Sequence, residues 1–96
     1  MKYSFHPDAV EEFTQAVEYY ENCGAGLGYD FALEVYMTVQ NIVQYPQAWP
    51  VIEEAIRRCQ TRRFPYGVIY NIQKDEIFIL AVMHLHREPD YWKKRH

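Results

Sequence analysis

RRCQTRRF (residues 57–64), PYGVIYNIQ (65–73) and KDEIFILAVMHLHR (74–87) form the stretch whose reading decides the fold. Val68–Ile72 and Ile77–Met83 are rich in β-branched side chains, which pack well on a pleated surface. Gln73-Lys-Asp-Glu76 between them has the length of a hairpin loop. Ile77–Met83 is apolar on both faces, which predicts a central strand. Arg57–Phe64 also alternates, with Arg58, Gln60 and Arg62 on one face and Arg57, Cys59, Thr61 and Arg63 on the other. It predicts a third strand, ending in a bend at Pro65 and Gly67.

Upstream of this stretch the period changes from two to about 3.6. Pro7 suits a first helical position, and Asp8, Glu11 and Glu12 suit the positive end of a helix dipole. Val10, Phe13, Val17 and Tyr20 fall on one stripe, so residues 7–22 form an amphipathic helix with an acidic outer face. Asn22-Cys-Gly-Ala-Gly26 is a stop and turn signal. A second helix begins near Gly28, carries Phe31, Val35, Val39 and Ile42 on one stripe, and ends at Pro46. Both stripes need a sheet to lie on. Lys2–Phe5 alternates and predicts a short first strand, a neighbour or edge of that sheet. Gln47–Pro50 is a loop around Trp49, and Val51–Ile56 fits no single pattern. After Glu88-Pro89 the tail has room for one helical turn carrying Tyr91 and Trp92. The order β-α-α-β-β-β predicts an α+β fold: a helical hairpin on one face of a small, mainly antiparallel four-stranded sheet.

Length supports one domain over residues 1–96, with a single modest core. No apolar run is long enough to span a bilayer, and the first residues lack a signal-peptide pattern. Two cysteines, Cys23 and Cys59, make no disulfide scaffold and fit a reducing cytoplasm. Charge is divided unevenly. Residues 1–54 carry one basic side chain, Lys2, against nine acidic ones, whereas residues 55–96 carry nine basic against four acidic. Such asymmetry points to an anionic partner for the second half, or to acidic helices beside a basic sheet.

In order and spacing, Phe5-His-Pro-x-Ala9, Ala16-Val-Glu-Tyr-Tyr-Glu21, Gly26-Leu-Gly-x-x-Phe31 and Ile42-x-x-x-Pro46 form the first half of a pattern. Arg63-Phe-Pro-Tyr-Gly-Val-Ile-Tyr70 and Ile79-Leu-Ala-Val-Met-His84-x-x-Arg87-x-Pro-x-Tyr91-Trp complete it. Together they resemble the RelE/ParE superfamily of bacterial type II toxin–antitoxin toxins, often labelled plasmid stabilisation proteins. The resemblance implies the same β-α-α-β-β-β order. It also implies one of two activities: RelE-like members cut mRNA in the ribosomal A site without a metal, and ParE-like members inhibit DNA gyrase. Either kind is silenced by a small antitoxin encoded nearby, and inactive relatives keep only the antitoxin-binding role.

Cutting RNA through its 2′-hydroxyl needs a base, an acid and cations that steady the charge on phosphorus. The resemblance places these roles on Arg62 or Arg63, Arg87 and Tyr91, and His84 is of a residue type that can take and return a proton. Arg62 and Arg63 alternate, so only one of them faces a given groove. Arg57, Arg58 and Lys93 add cations for an RNA backbone, and Trp92 either stacks a base or plugs the core. His84 equally suits a structural histidine. His84-x-His86 lacks a third ligand at matching spacing, so neither metal nor other cofactor is expected. Gln47–Ile56 carries no lysine or arginine and includes Glu53 and Glu54, unlike the basic middle of RelE-like nucleases. Fewer neutralised phosphates weaken binding to ribosomal RNA, which makes gyrase inhibition or an inactive antitoxin-binding relative the alternatives. The expectation drawn from the Arg/His/Tyr set is growth inhibition by ribosome-dependent, metal-independent mRNA cleavage.

Overall fold

A computed structural model describes residues 1–88 and 90–95. Pro89, part of the motif quoted above, and His96 lie outside the described residues. The chain runs β1 (Lys2–Phe5), α1 (Pro7–Cys23), α2 (Leu27–Gln44), β2 (Val51–Glu53), β3 (Ile56–Gln60), β4 (Tyr66–Gln73) and β5 (Glu76–His84). A short 3-10 turn, Lys93–Arg95, closes it.

The sheet has five strands, not the four expected, in the order β1-β5-β4-β3-β2. The additional strand, β2, is three residues long and shifts register against β3, so it carries too little alternation to be read. Glu54 turns it back with a left-handed φ of 47°. The third predicted strand is also shorter than its pattern. It stops at Gln60, because the Thr61 hydroxyl donates to the Phe64 and Tyr66 carbonyls and folds the arginine pair into a turn. β5 is central, as its two apolar faces predict, and pairs parallel with edge strand β1 and antiparallel with β4. A register shift between Ile69 and Tyr70 leaves Leu80 as an extra residue of β5.

Both helices lie on one face of the sheet. His6 caps α1, its Nδ1 accepting from the Asp8 amide, and Pro7 occupies the first turn. The α1 stripe is rotated from expectation. Ala9 and Ala16 are buried with Phe13, Val17 and Tyr20 packed beside them, while Val10 faces outward. The α2 stripe Phe31, Val35, Val39 and Ile42 is buried as predicted. Glu21 joins the helices: its carboxylate accepts from the Gly26 and Gly28 amides at 3.0 Å each, satisfying donors that the start of a helix leaves open.

The other face holds a second core of Ile56, Ile69, Leu80, Ala81, Met83 and Trp92. Its cover comes from the tail. Trp92, 2% exposed, is the plug on this face rather than a platform for a base.

Candidate functional site

Two acidic side chains from the helices hold the ends of the sheet. β1 pairs with β5 only as far as Ile79, so on that side the following β5 groups meet no strand among the described residues. Glu12, on α1, accepts from the Val82 amide at 3.1 Å through Oε1. Arg95 donates to the Leu80 carbonyl at 3.0 Å and pairs with the same Glu12 oxygen at 2.9 Å. The Glu12–Arg95 pair thus replaces a neighbouring strand and ties the tail to the sheet. On α2, Glu34 accepts from the Arg63 and Phe64 amides, at 2.9 and 3.2 Å, and fixes the bend.

Around Glu12 the expected site residues are largely committed. Arg87 reaches Glu12 Oε2 at 3.4 Å, and its guanidinium lies 3.6 Å above the Tyr91 ring. Arg95 lies on the same ring at 5.0 Å. The Tyr91 hydroxyl is buried without a partner in hydrogen-bonding geometry. Burial first, and the neighbouring Glu12 carboxylate second, push that phenol far above the usual range, against the smaller opposing pull of Arg87 and Arg95. Tyr91 therefore stays protonated at neutral pH.

His84 ends β5 and lines a small cleft with Tyr66, Tyr19, Gln15 and Arg87. Its Nδ1 accepts from the His86 amide at 3.1 Å, which leaves the ring proton on Nε2 in the neutral form. The Tyr66 ring stands edge-on to it at 5.2 Å. Burial raises the Tyr66 phenol as well.

Arg62 and Arg63 line a different cavity, of about 450 Å³, between α2 and β3. Both line it, not one as expected, because β3 ends at Gln60 and strand alternation does not reach them. Arg63 pairs with Asp30 at 3.3 Å and lies over the Phe64 ring. Arg62 makes no ion pair among the described residues. The residues expected to share one groove thus separate into two groups, His84, Arg87 and Tyr91 beside α1 and the arginine pair beside α2.

The further cations are divided too. Arg57 donates to the Trp49 carbonyl at 2.7 Å and the Gln47 carbonyl at 3.1 Å, closing the loop that begins β2. Arg58 lays its aliphatic stem across Gly67, where an added Cβ would sit 3.1 Å away. Lys93 pairs with Glu53 at 2.9 Å, and that bond is the main cause raising its pKa. Among the described residues no group of three or more histidine, cysteine or acidic side chains is arranged to hold a metal. Among the described residues no helix is long and apolar enough to cross a membrane.

Sequence reasoning missed Glu12, Glu34 and Arg95. All three act across long separations and none sits in a local motif. Only the acidic excess of the first half and the basic excess of the second hinted that they would meet.

A family model described as the ParE toxin of type II toxin-antitoxin system, parDE, matches residues 3–89. The fold is similar to a solved structure titled "Chromosomal ParDE TA system from P. aeruginosa". The two share a TM-score of 0.79 and 16% identity over 90% of this chain and 97% of that one. No curated protein sequence matches.

Proposed function

The chain belongs to the ParE toxin family of type II toxin–antitoxin systems, and from that premise we propose that it arrests growth by binding DNA gyrase in the cytoplasm. The antitoxin of its own pair relieves that arrest. The observation that carries this reading is the state of the would-be catalytic set. Arg87 is held by Glu12 and Tyr91, and the phenol is buried. Arg62 and Arg63 lie in another cavity. Phosphoryl chemistry needs cations that converge on one phosphate and an acid that reaches the leaving oxygen. This arrangement favours a binding surface over a nuclease.

The test is a gyrase supercoiling assay run beside ribosome-bound mRNA cleavage on one preparation. Inhibition of supercoiling without cleavage is expected. Cleavage without inhibition overturns the reading, and absence of growth arrest on expression without the antitoxin reduces the chain to an antitoxin-binding relative. One observation favours ribosome-dependent cleavage as a second reading: His84, Arg87 and Tyr66 do line a common cleft. In that reading His84 takes the proton and Arg87 leaves Glu12 to meet phosphate.

A further inference from the structure

We propose that the outer face of α2 pairs two copies of this chain through an antiparallel contact of their second helices. α2 is apolar on two sides. Its inner stripe, Phe31, Val35, Val39 and Ile42, is buried against the sheet. On the outward side Tyr29, Leu33 and Tyr36 follow one another at helical spacing and stay 69%, 44% and 55% exposed. A helix that is apolar on both sides calls for cover on both, and the single chain covers only one. The outer stripe is also uncharged. Asp30 and Glu34 are the only charged residues of α2. Both turn toward the bend after β3, where Asp30 pairs with the Arg63 side chain and Glu34 accepts from the Arg63 and Phe64 amides.

Beside the stripe lies a hollow of about 180 Å³, on the β1 side of α2 and away from the cavity next to β3. Ala32, Tyr36 and Val39 of α2, Phe13 of α1, and Tyr3 and Phe5 of β1 line it. The stripe therefore offers both a projection, Tyr29, and a recess beside Tyr36, two helical turns apart on one face. Antiparallel pairing about an axis between Ala32 and Leu33 sets Tyr29 of each copy against Tyr36 and the recess of the other, and brings the two Leu33 side chains together. Such a contact is self-complementary, as a twofold interface must be, and it opposes the two helix dipoles. Charge selects a second copy as the occupant. Residues 1–54 hold one basic side chain against nine acidic ones, and Glu11, Glu18 and Glu21 stand exposed on α1. Copies meeting through α1 set acid against acid, whereas the α2 stripe meets itself without repulsion. A charged partner gains neither steering nor an ion pair from that stripe. Area sets the strength. With a tyrosine burying about 200 Å² in full, Tyr29, Leu33, Tyr36 and the 40%-exposed Tyr3 offer on the order of 400 Å² per copy. That is about half the share of one partner in a standard interface, so the pair should be weak, with a dissociation constant on the order of 100 μM.

The experiment is sedimentation equilibrium on the full chain, freed of antitoxin, from about 5 μM to about 1 mM. The mass is expected to pass from one chain toward two across that range. Tyr29→Ser removes the projection, and Leu33→Glu sets two carboxylates face to face at the axis. Each should raise the dissociation constant at least about tenfold. Both positions are exposed, so the melting temperature of the dilute protein should not change. Tyr36→Ser, which opens the recess, stands in should Leu33→Glu fold poorly. A chain that stays single to the highest concentration overturns the pairing. So does a dimer that the variants leave as tight as the wild type, since its contact then lies elsewhere. A single chain whose binding to the product of the adjoining reading frame is lost in both variants assigns the stripe to the antitoxin and also overturns it.

Discussion

Glu12 of α1 and Val82 of β5 stand seventy residues apart in sequence and meet in a hydrogen bond of 3.1 Å, from the Val82 amide to Oε1. The same oxygen takes Arg95 at 2.9 Å, both side chains being only 12% exposed. A largely buried carboxylate that serves a strand edge and a cation at once is costly to lose, because each partner is left unpaired.

Glu12→Ala should therefore destabilise the chain by about 2–4 kcal/mol and loosen the tail. Glu12→Gln keeps an acceptor for Val82 and should lose less. Urea titrations of the three proteins check the ranking. A loss for Glu12→Ala no greater than for an exposed carboxylate such as Glu18→Ala would sink it.

Tyr91→Phe separates the two activities. The hydroxyl is buried beside the Glu12 carboxylate with no partner in hydrogen-bonding geometry, so removing it should change stability by no more than about 1 kcal/mol. If the chain binds gyrase, growth arrest persists in the variant. If the phenol is a nuclease acid, arrest disappears while the fold survives. Melting temperature and colony counts after induction give the answer together.

Gly28 reverses the usual helix rule. Glycine inside a helix normally costs roughly 0.5–1 kcal/mol relative to alanine. Here an added Cβ would lie 2.7 Å from the Val17 carbonyl oxygen and 3.0 Å from Glu21. The helices can admit it only by separating, which also strains the Glu21 bonds to Gly26 and Gly28. Gly28→Ala should therefore destabilise by about 1–3 kcal/mol, a typical cost of overpacking. Thermal denaturation showing a stabilised variant would refute this packing.

The folded state should lose stability above pH 9. Burial raises the Cys59 thiol from 9.0 to about 11 and the Tyr70 phenol from 10.0 to about 12. Both groups release their protons more readily when unfolded, so the native state binds more protons at alkaline pH. Stability is full below the unfolded values and falls as pH climbs through 9 to 12. Tyr70 also donates to the Pro46 carbonyl at 2.6 Å. Tyr70→Phe gives up that bond at neutral pH but should flatten the decline between pH 10 and 12. Melting curves across that range show it as a shallower slope.

The helices and the β4–β5 hairpin were legible because their patterns are local. Phe31, Val35, Val39 and Ile42 repeat at helical spacing, and Ile77–Met83 is apolar on both faces. β2 was not legible, since three residues and a bulge carry no period. Val10 misled the α1 stripe because Ala9 and Ala16, small enough to sit against the sheet, took the inward positions. The candidate site was legible as residue types and not as geometry. Whether Arg87 meets a phosphate or Glu12 depends on a contact 75 residues distant, and Arg62 and Arg63 turn toward α2 because Thr61 ends β3 early.

Glu34 offers the last test, because it controls where that arginine pair lies. Its Oε2 accepts from the Arg63 and Phe64 amides and anchors the bend to α2. Glu34→Ala leaves both amides without that acceptor, at a cost of about 1–3 kcal/mol. It also frees the turn that carries Arg62, beside the cavity between α2 and β3. If that turn helps hold the antitoxin, Glu34→Ala should weaken the complex by more than the stability loss alone explains, and Glu34→Gln should recover part of both. Titration calorimetry against the product of the adjoining reading frame, at a temperature where all three proteins are folded, resolves the difference. Unchanged affinity in both variants would place the antitoxin's main contacts away from the bend.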